Sequence, residues 1–84
     1  MQIKWQPKAS KQLKKLKDKQ VIGRIVQAVA GLDGFPDVTN VKTLVNHDYS
    51  YRLRVGDYRV FFNVHEVVEI ISIEEVRKRD ERTY

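Results

Sequence analysis

The chain has 84 residues, of which 42% are apolar, and it carries a net charge of +5 at pH 7 with an isoelectric point near 9.6. This length and composition predict a single compact domain over residues 1–84 and argue against disorder. Cysteine is absent, which excludes disulfides and thiolate metal sites. No apolar run approaches the roughly 20 residues of a membrane span, and the first residues lack the apolar region of a signal peptide. We therefore expect a cytoplasmic protein without a membrane role, whose basic charge favours polyanionic partners.

The first part of the chain predicts a short strand followed by a pair of helices. Residues 3–5 alternate between apolar and polar, and Pro7 ends this segment in a position that suits the first turn of a helix. Asp18 separates the first helix from a second, which we expect to stop near Asp33 and Gly34. The apolar stripes of the two helices contain Ala9, Leu13, Leu16, Val21, Ile22, Ile25, Val26 and Val29.

The second part predicts a loop and then an antiparallel meander. Residues 35–48 are rich in turn-forming types and indicate a loop. Gly56-Asp57 and His65-Glu66 are turn signals, and we expect a charged, exposed tail after Ile73. Strands are predicted at residues 49–55, 58–64 and 67–73. The fold class is therefore α+β, with a short N-terminal strand, an αα-hairpin and a three-stranded meander whose sheet has the helices on one face.

Three arginines stand out in the segment YRLRVGDYRVF at residues 51–61. Alternation directs Leu53 inward and places Arg52 and Arg54 on the opposite face. The following strand brings Arg59 and Phe61 to that same face, because the two strands are neighbours. A solvated outer face is one interpretation. Our preferred interpretation is a phosphate-binding site for RNA or DNA, since guanidinium groups pair with phosphate oxygens and an aromatic ring can stack on a base.

The remaining polar residues give weaker signals. The two histidines have no ligand spacing, so no metal site is predicted. His47 lies in the predicted loop and is either a surface residue or a proton-transfer group. The lysines of the first helix form either a solvated surface or a surface attracted to RNA.

The order of these elements, together with YRLRVGDYRVFFNV and the final IISIEEVRKRDERTY, resembles the RelE/ParE toxin superfamily over essentially the whole chain. These proteins are the toxins of bacterial type II toxin–antitoxin pairs. RelE-like members are endoribonucleases that cut mRNA in the ribosomal A site, whereas ParE-like members inhibit DNA gyrase. The basic strands and the terminal arginine and tyrosine resemble the RelE-like branch of mRNA interferases.

The resemblance implies a reaction that needs no metal and no cofactor. The ribose 2′-OH attacks the adjacent phosphate and leaves a 2′,3′-cyclic phosphate. Arg52 and Arg54 occupy basic positions of the family, and Arg59 matches its phosphate-contacting arginine. Either Arg79 or Lys78 matches its arginine in the tail. The remaining residues assigned to the site by this resemblance are Tyr84, which stacks on or orients a nucleotide, and the RNA-binding residues Phe61, Arg77, Lys78 and Arg82.

The general base is left open by the sequence. The archetype carries lysines where this chain has Arg52 and Arg54, and an arginine does not give up its proton. Those two residues are therefore expected to stabilise charge, and the base must lie elsewhere. The alternatives are His47, Asp80, Glu81 and Tyr84.

The implied partners are a cognate antitoxin, the ribosomal A site and mRNA. The main alternative function is that of a ParE-like gyrase inhibitor without nuclease chemistry. A non-catalytic nucleic-acid-binding module is a third possibility. Only the ribonuclease should cut mRNA after expression; a DNA-damage response with intact mRNA would favour the gyrase inhibitor, and RNA binding without cuts would favour the binding module.

Overall fold

The computed structural model describes residues 1–79, which form two helices and one five-stranded sheet. The elements are β1 (Gln2–Trp5), α1 (Pro7–Lys15), α2 (Lys19–Ala30), β2 (Val41–Thr43), β3 (Tyr51–Val55), β4 (Tyr58–His65) and β5 (Ile70–Lys78), and a 3₁₀ turn at Gly31–Gly34 follows α2. The predicted α+β class, the strand that precedes two helices and the final meander are confirmed. None of the helices in residues 1–79 has the length and apolarity needed to cross a membrane.

The helix boundaries follow from local chemistry. Pro7 lies in the first turn of α1, where its missing N–H is not needed for a helical hydrogen bond. Asp18 caps α2, because its carboxylate accepts hydrogen bonds from the backbone N–H groups of Gln20 and Val21 at 3.0 and 3.3 Å. The predicted break between the helices at Asp18 is therefore confirmed.

The sheet has the strand order β1-β5-β4-β3-β2. β1 pairs in parallel with β5, and the other neighbours are antiparallel. The inward directions predicted for β3 and β4 are confirmed, since Leu53, Val60 and Phe62 are buried in the main core. The other buried core residues are Ala9, Ile25, Val29, Leu32, Ile71, Ile73 and Val76.

β2 corrects the prediction of a continuous loop over residues 35–48. Val41–Thr43 pairs with Tyr51–Leu53, and Val41 packs against the core. Three residues are too few to show alternation in a sequence, so tertiary pairing rather than a local pattern makes this strand.

β5 corrects the predicted strand at residues 67–73 and the predicted exposed tail. Val67 and Val68 are exposed and lie in the turn between β4 and β5. The strand continues into the charged segment, where Glu75 and Val76 are buried. An irregularity in the pairing opposite Phe61 and Phe62 makes this possible, because it inserts one extra residue into β5.

α1 covers the outer edge of β5 where β1 ends. β1 pairs with β5 only as far as Trp5 and Ile73. Beyond that point, the backbone N–H of Val76 donates a 2.7 Å hydrogen bond to Oε1 of Gln12 in α1. A side chain thus satisfies one backbone donor of β5 at the edge where β1 no longer pairs with it.

Candidate nucleic-acid interface

One face of the sheet carries two rows of cross-strand neighbours that lie outside the main core. In the first row, Arg59 of β4 is opposite both Arg54 of β3 and Arg77 of β5. In the second row, Phe61 is opposite Arg52 and Glu75. We call these six residues the arginine face: Arg52, Arg54, Arg59, Phe61, Glu75 and Arg77. The structure therefore brings together the three arginines and the phenylalanine that alternation placed on one side.

Phe61 is the centre of an aromatic cluster. It is only 7% exposed, although it is not part of the main core. The ring of His47 stacks on it, with centroids 5.1 Å apart and planes inclined by 14°. Tyr49 lies 5.7 Å away, and the guanidinium of Arg77 lies 5.9 Å from the ring centroid. The exposed ring beside the arginines is consequently that of His47, since it covers Phe61.

A backbone hydrogen bond orients His47. The N–H of Tyr49 donates to Nδ1 of His47 at 3.1 Å. Nδ1 is therefore an acceptor, and in the neutral ring the proton is carried by Nε2. The histidine that the sequence offers as a base thus presents an N–H donor in its neutral form, so this geometry suits it better to donating a hydrogen bond.

Glu75 is a buried carboxylate held between two cations. Its Oε1 lies 2.6 Å from Nζ of Lys8, and its Oε2 lies 2.9 Å from a guanidinium nitrogen of Arg77. The hydrogen bond and the negative charge of Glu75 raise the pKa of Lys8 above 10.5, and Tyr49 contributes in the same direction. Lys8 therefore stays protonated, and α1 adds a fixed positive charge beside the arginine face.

Arg52 keeps an unsatisfied donor. Its side chain is half-buried, and its Nε is inaccessible yet makes no hydrogen bond to any group within residues 1–79. Arg59 is buried beside it on the neighbouring strand, and one of its guanidinium nitrogens donates to the carbonyl of Tyr58 at 3.4 Å. Buried polar groups are nearly always hydrogen-bonded. Within residues 1–79 the Nε of Arg52 is an exception to this rule, and because it is inaccessible, a ligand atom would reach it only after the side chain moved.

The other tail residues predicted for the site do not lie together on the arginine face. Lys78 is paired with Tyr58, whose side chain packs on the core, so direct cross-strand pairing places Lys78 on the side away from the arginine face. Arg79 is exposed, and its backbone N–H donates to the carbonyl of Asp57 at 2.6 Å. Four predicted residues lie outside the described residues: Asp80, Glu81, Arg82 and Tyr84. Within residues 1–79, no group of three or more histidine, aspartate or glutamate side chains is placed to hold a metal ion.

Sequence reasoning missed three members of the site: Lys8, Tyr49 and Glu75. Lys8 is one of several similar lysines on α1, and only its 2.6 Å contact with Glu75 distinguishes it. Glu75 was assigned to an exposed tail. The many charged residues at positions 74–78 hide the strand pattern in the sequence. Val76 is the one apolar residue in that segment and could have indicated burial.

Comparison with known proteins gives the family and several structural relatives. The family model described as the ParE toxin of the parDE type II toxin–antitoxin system matches residues 3–82. A chain of the archaeal RelE–RelB complex from Pyrococcus horikoshii OT3 is 26% identical, with a TM-score of 0.78, over 95% of this chain and 96% of that chain. A search of curated proteins finds no match.

Two more distant structures share the fold. A chain of the RelBE2 toxin–antitoxin complex from Mycobacterium tuberculosis is 19% identical, with a TM-score of 0.76, over 93% of this chain and 96% of that one. The YoeB/ParE toxin from Agrobacterium tumefaciens is 13% identical, with a TM-score of 0.76, over 95% of this chain and 100% of that one. Since the family model spans nearly the whole sequence, the chain belongs to the ParE toxin family of type II toxin–antitoxin systems, within the RelE/ParE superfamily that its motifs predicted.

Proposed function

We propose that this toxin is an endoribonuclease that cuts mRNA in the ribosomal A site with its arginine face. The observation that carries the proposal is the gathering of Arg52, Arg54 and Arg59 on one face of two neighbouring strands, beside the aromatic cluster around Phe61. Guanidinium groups are suited to a phosphate, whose oxygens accept several hydrogen bonds at once.

The proposed reaction is attack of the 2′-OH on the neighbouring phosphate. Negative charge builds on the phosphorane, and fixed guanidinium groups stabilise it most effectively where water is excluded. Arg52 and Arg59 are the two arginines of the face that are at least half-buried, so we assign this role to them. The bond from the 2′ oxygen to phosphorus forms as the bond from phosphorus to the 5′ oxygen breaks; the 2′-OH loses its proton to water, and the 5′ oxygen gains one from water. We assign to His47 a hydrogen bond from its Nε2–H to the leaving oxygen.

The aromatic cluster supports binding of a nucleotide base. His47 is exposed and Tyr49 is half-buried, while both rings lie within 6 Å of Phe61. Stacking of a base on an aromatic side chain contributes about 1–3 kcal/mol. We place the base against His47, since this ring already covers Phe61.

The proposed protein partner is a cognate antitoxin. Two of the similar structures are toxin–antitoxin complexes, RelE–RelB and RelBE2. An antitoxin segment with acidic residues would complement the arginine face and compete with RNA for it. This would inhibit the toxin by occupying its substrate site.

Inhibition of DNA gyrase is the second candidate function. The observation that favours it is the family model itself, which is described as a ParE toxin and covers residues 3–82. A gyrase inhibitor would leave mRNA intact and would stop supercoiling by purified gyrase.

Mapping of mRNA ends by primer extension after toxin expression tests the proposal. The wild type should produce new 5′ ends inside reading frames, and Arg52→Ala should reduce cutting by about 100-fold, because one transition-state donor is lost. Arg24→Ala is the matched control, since it removes an exposed arginine of α2. Intact mRNA combined with inhibited gyrase would contradict the ribonuclease proposal and support the second candidate.

A further inference from the structure

We propose that Lys8 of α1 is a phosphate-binding residue of the same RNA site, and that Glu75 is the positioning residue that holds it there. This inference rests on the proposed function, because it assigns RNA as the ligand. It enlarges the site from the sheet to a helix that the sequence indicated only as a charged surface.

The geometry of Glu75 carries the first step. The carboxylate is 5% exposed, whereas its two partners, Lys8 and Arg77, remain 59% and 65% exposed. The buried end of each contact therefore fixes the cation, and the outer side of each cation remains accessible. One carboxylate thus anchors two accessible positive charges from two different elements.

The charge balance carries the second step. One cation would neutralise a buried carboxylate, but Glu75 has two. The group therefore retains a net positive charge beside Arg59, on the strand next to it, and one strand away from Arg52. Concentrated positive charge of this kind attracts a polyanion. Lysine binds phosphate as a point charge with three N–H donors, not all of which Glu75 can use.

The position of Lys8 carries the third step. Neighbouring strands lie about 4.8 Å apart, so a path from β3 across β4 to β5 is about 10 Å wide before it reaches α1. A path of that width is longer than a single phosphate group, and we assign it to successive phosphates of one RNA strand. The remaining lysines of α1 differ from Lys8, since none of them forms a salt bridge with an acidic residue in the described part of the chain.

The test is the salt dependence of RNA binding. The probe is a fluorescent single-stranded oligonucleotide with 2′-O-methyl riboses, which this chemistry cannot cut, and anisotropy gives its affinity over a series of salt concentrations. Each phosphate contact with a single strand contributes about 0.7 to the slope of log affinity against log salt. Lys8→Ala should lower the slope by about that amount, and it should weaken binding equally for two unrelated sequences.

Lys11→Ala is the matched control, because Lys11 is an exposed lysine of the same helix. Its slope should stay close to that of the wild type. Equal slopes for Lys8→Ala and Lys11→Ala, or wild-type binding that does not depend on salt, would overturn the inference.

A double-mutant cycle tests the positioning role of Glu75. If Glu75 holds Lys8, the effect of Lys8→Ala on affinity should be several-fold smaller in the Glu75→Gln background than in the wild type. If Glu75→Gln does not fold, Glu75→Asp shortens the same carboxylate and tests the same coupling. An undiminished Lys8→Ala effect in either folded background would show that Glu75 does not position it.

The inference and the proposed function fail in different ways. If the wild type cuts mRNA but Lys8→Ala does not change the salt dependence of RNA binding, the inference about Lys8 is wrong and the ribonuclease proposal stands. If Lys8→Ala lowers the slope of log affinity against log salt but mRNA stays uncut, the inference is supported and the ribonuclease proposal is wrong.

Discussion

Arg54, Arg59 and Arg77 occupy directly opposed positions on three neighbouring strands. Like charges in such positions destabilise a sheet by up to about 1 kcal/mol per pair. Glu75 offsets part of this repulsion through its contact with Arg77.

Replacement of Arg54 by threonine should separate stability from binding. Arg54 is exposed, and its loss removes one member of the row, so Arg54→Thr should raise the free energy of unfolding by about 0.5 kcal/mol at low salt. The same change should weaken RNA binding. Urea denaturation at low and high salt measures the first effect, and the gain should shrink as salt screens the repulsion. If Arg54→Thr is less stable than the wild type at low salt, repulsion between Arg54 and the opposed Arg59 does not explain the stability of this row.

The Lys8–Glu75 ion pair should give stability a specific pH dependence. The pKa of Lys8 is raised above 10.5 in the folded protein, mainly by its hydrogen bond to Glu75. A raised lysine pKa contributes stability that is fully present below the unfolded value and is lost as the pH rises through the folded value. The difference in unfolding free energy between wild type and Lys8→Met should therefore be constant from neutral pH to about 10 and then fall. If wild type and Lys8→Met have the same unfolding free energy near neutral pH, the Lys8–Glu75 ion pair does not stabilise the fold.

At the scale of elements, β3 and β4 were predictable and β5 was not. Strict alternation through Leu53, Val60 and Phe62 predicted which sides of β3 and β4 are buried. In β5, Glu75 has the same parity as the buried Ile71 and Ile73. The extra residue in the pairing opposite Phe61 and Phe62 reverses the alternation and turns Glu75 to the arginine face. A bulge depends on the partner strand, so the sequence of β5 alone does not reveal it.

The turn between β4 and β5 misled the prediction for a different reason. Val67 and Val68 have high strand propensity, yet they are exposed in the turn. Glu69 adopts a positive φ of 54°, which ends the turn before β5 begins at Ile70. Tertiary pairing therefore overrides propensity here.

The contact between α1 and the edge of β5 should be worth a measurable amount of stability. Gln12→Ala leaves the N–H of Val76 without its acceptor, which costs about 1–3 kcal/mol for a buried donor. Lys11→Ala, one position away and exposed, should change the free energy of unfolding by less than about 0.5 kcal/mol. Urea denaturation of the three proteins gives both values. Equal stability of Gln12→Ala and the wild type would show that the edge is satisfied by another acceptor.

At the scale of the whole molecule, β1 joins the start of the chain to β5, and Trp5 reports on this junction. Trp5 is the single tryptophan, it is paired with Ile73, and it packs against the core. One shared core predicts a single cooperative transition. Tryptophan fluorescence and far-ultraviolet circular dichroism should therefore give the same denaturation midpoint. A fluorescence midpoint at clearly lower denaturant would show that β1 detaches before the rest of the sheet.

The superfamily was predictable from the whole sequence, because the order of the elements and the hairpin motif extend over its full length. The family match confirms that prediction. The choice between ribonuclease and gyrase inhibitor is a different matter, since proteins named RelE, YoeB and ParE share this fold. Function depends on side chains placed on the fold. Arg52, Arg54 and Arg59 were recognisable from the sequence, whereas the contacts of Glu75 became visible only once the strands were paired.

The parallel pairing of β1 with β5 also determines when the sheet is completed during synthesis. β1 leaves the translating ribosome long before β5, and the sheet has no partner for it until Ile70–Ile73 has been made. Glu75 and Arg77 are translated later still. The nascent chain therefore cannot assemble its full sheet, or the arginine face that the sheet supports, until β5 has emerged.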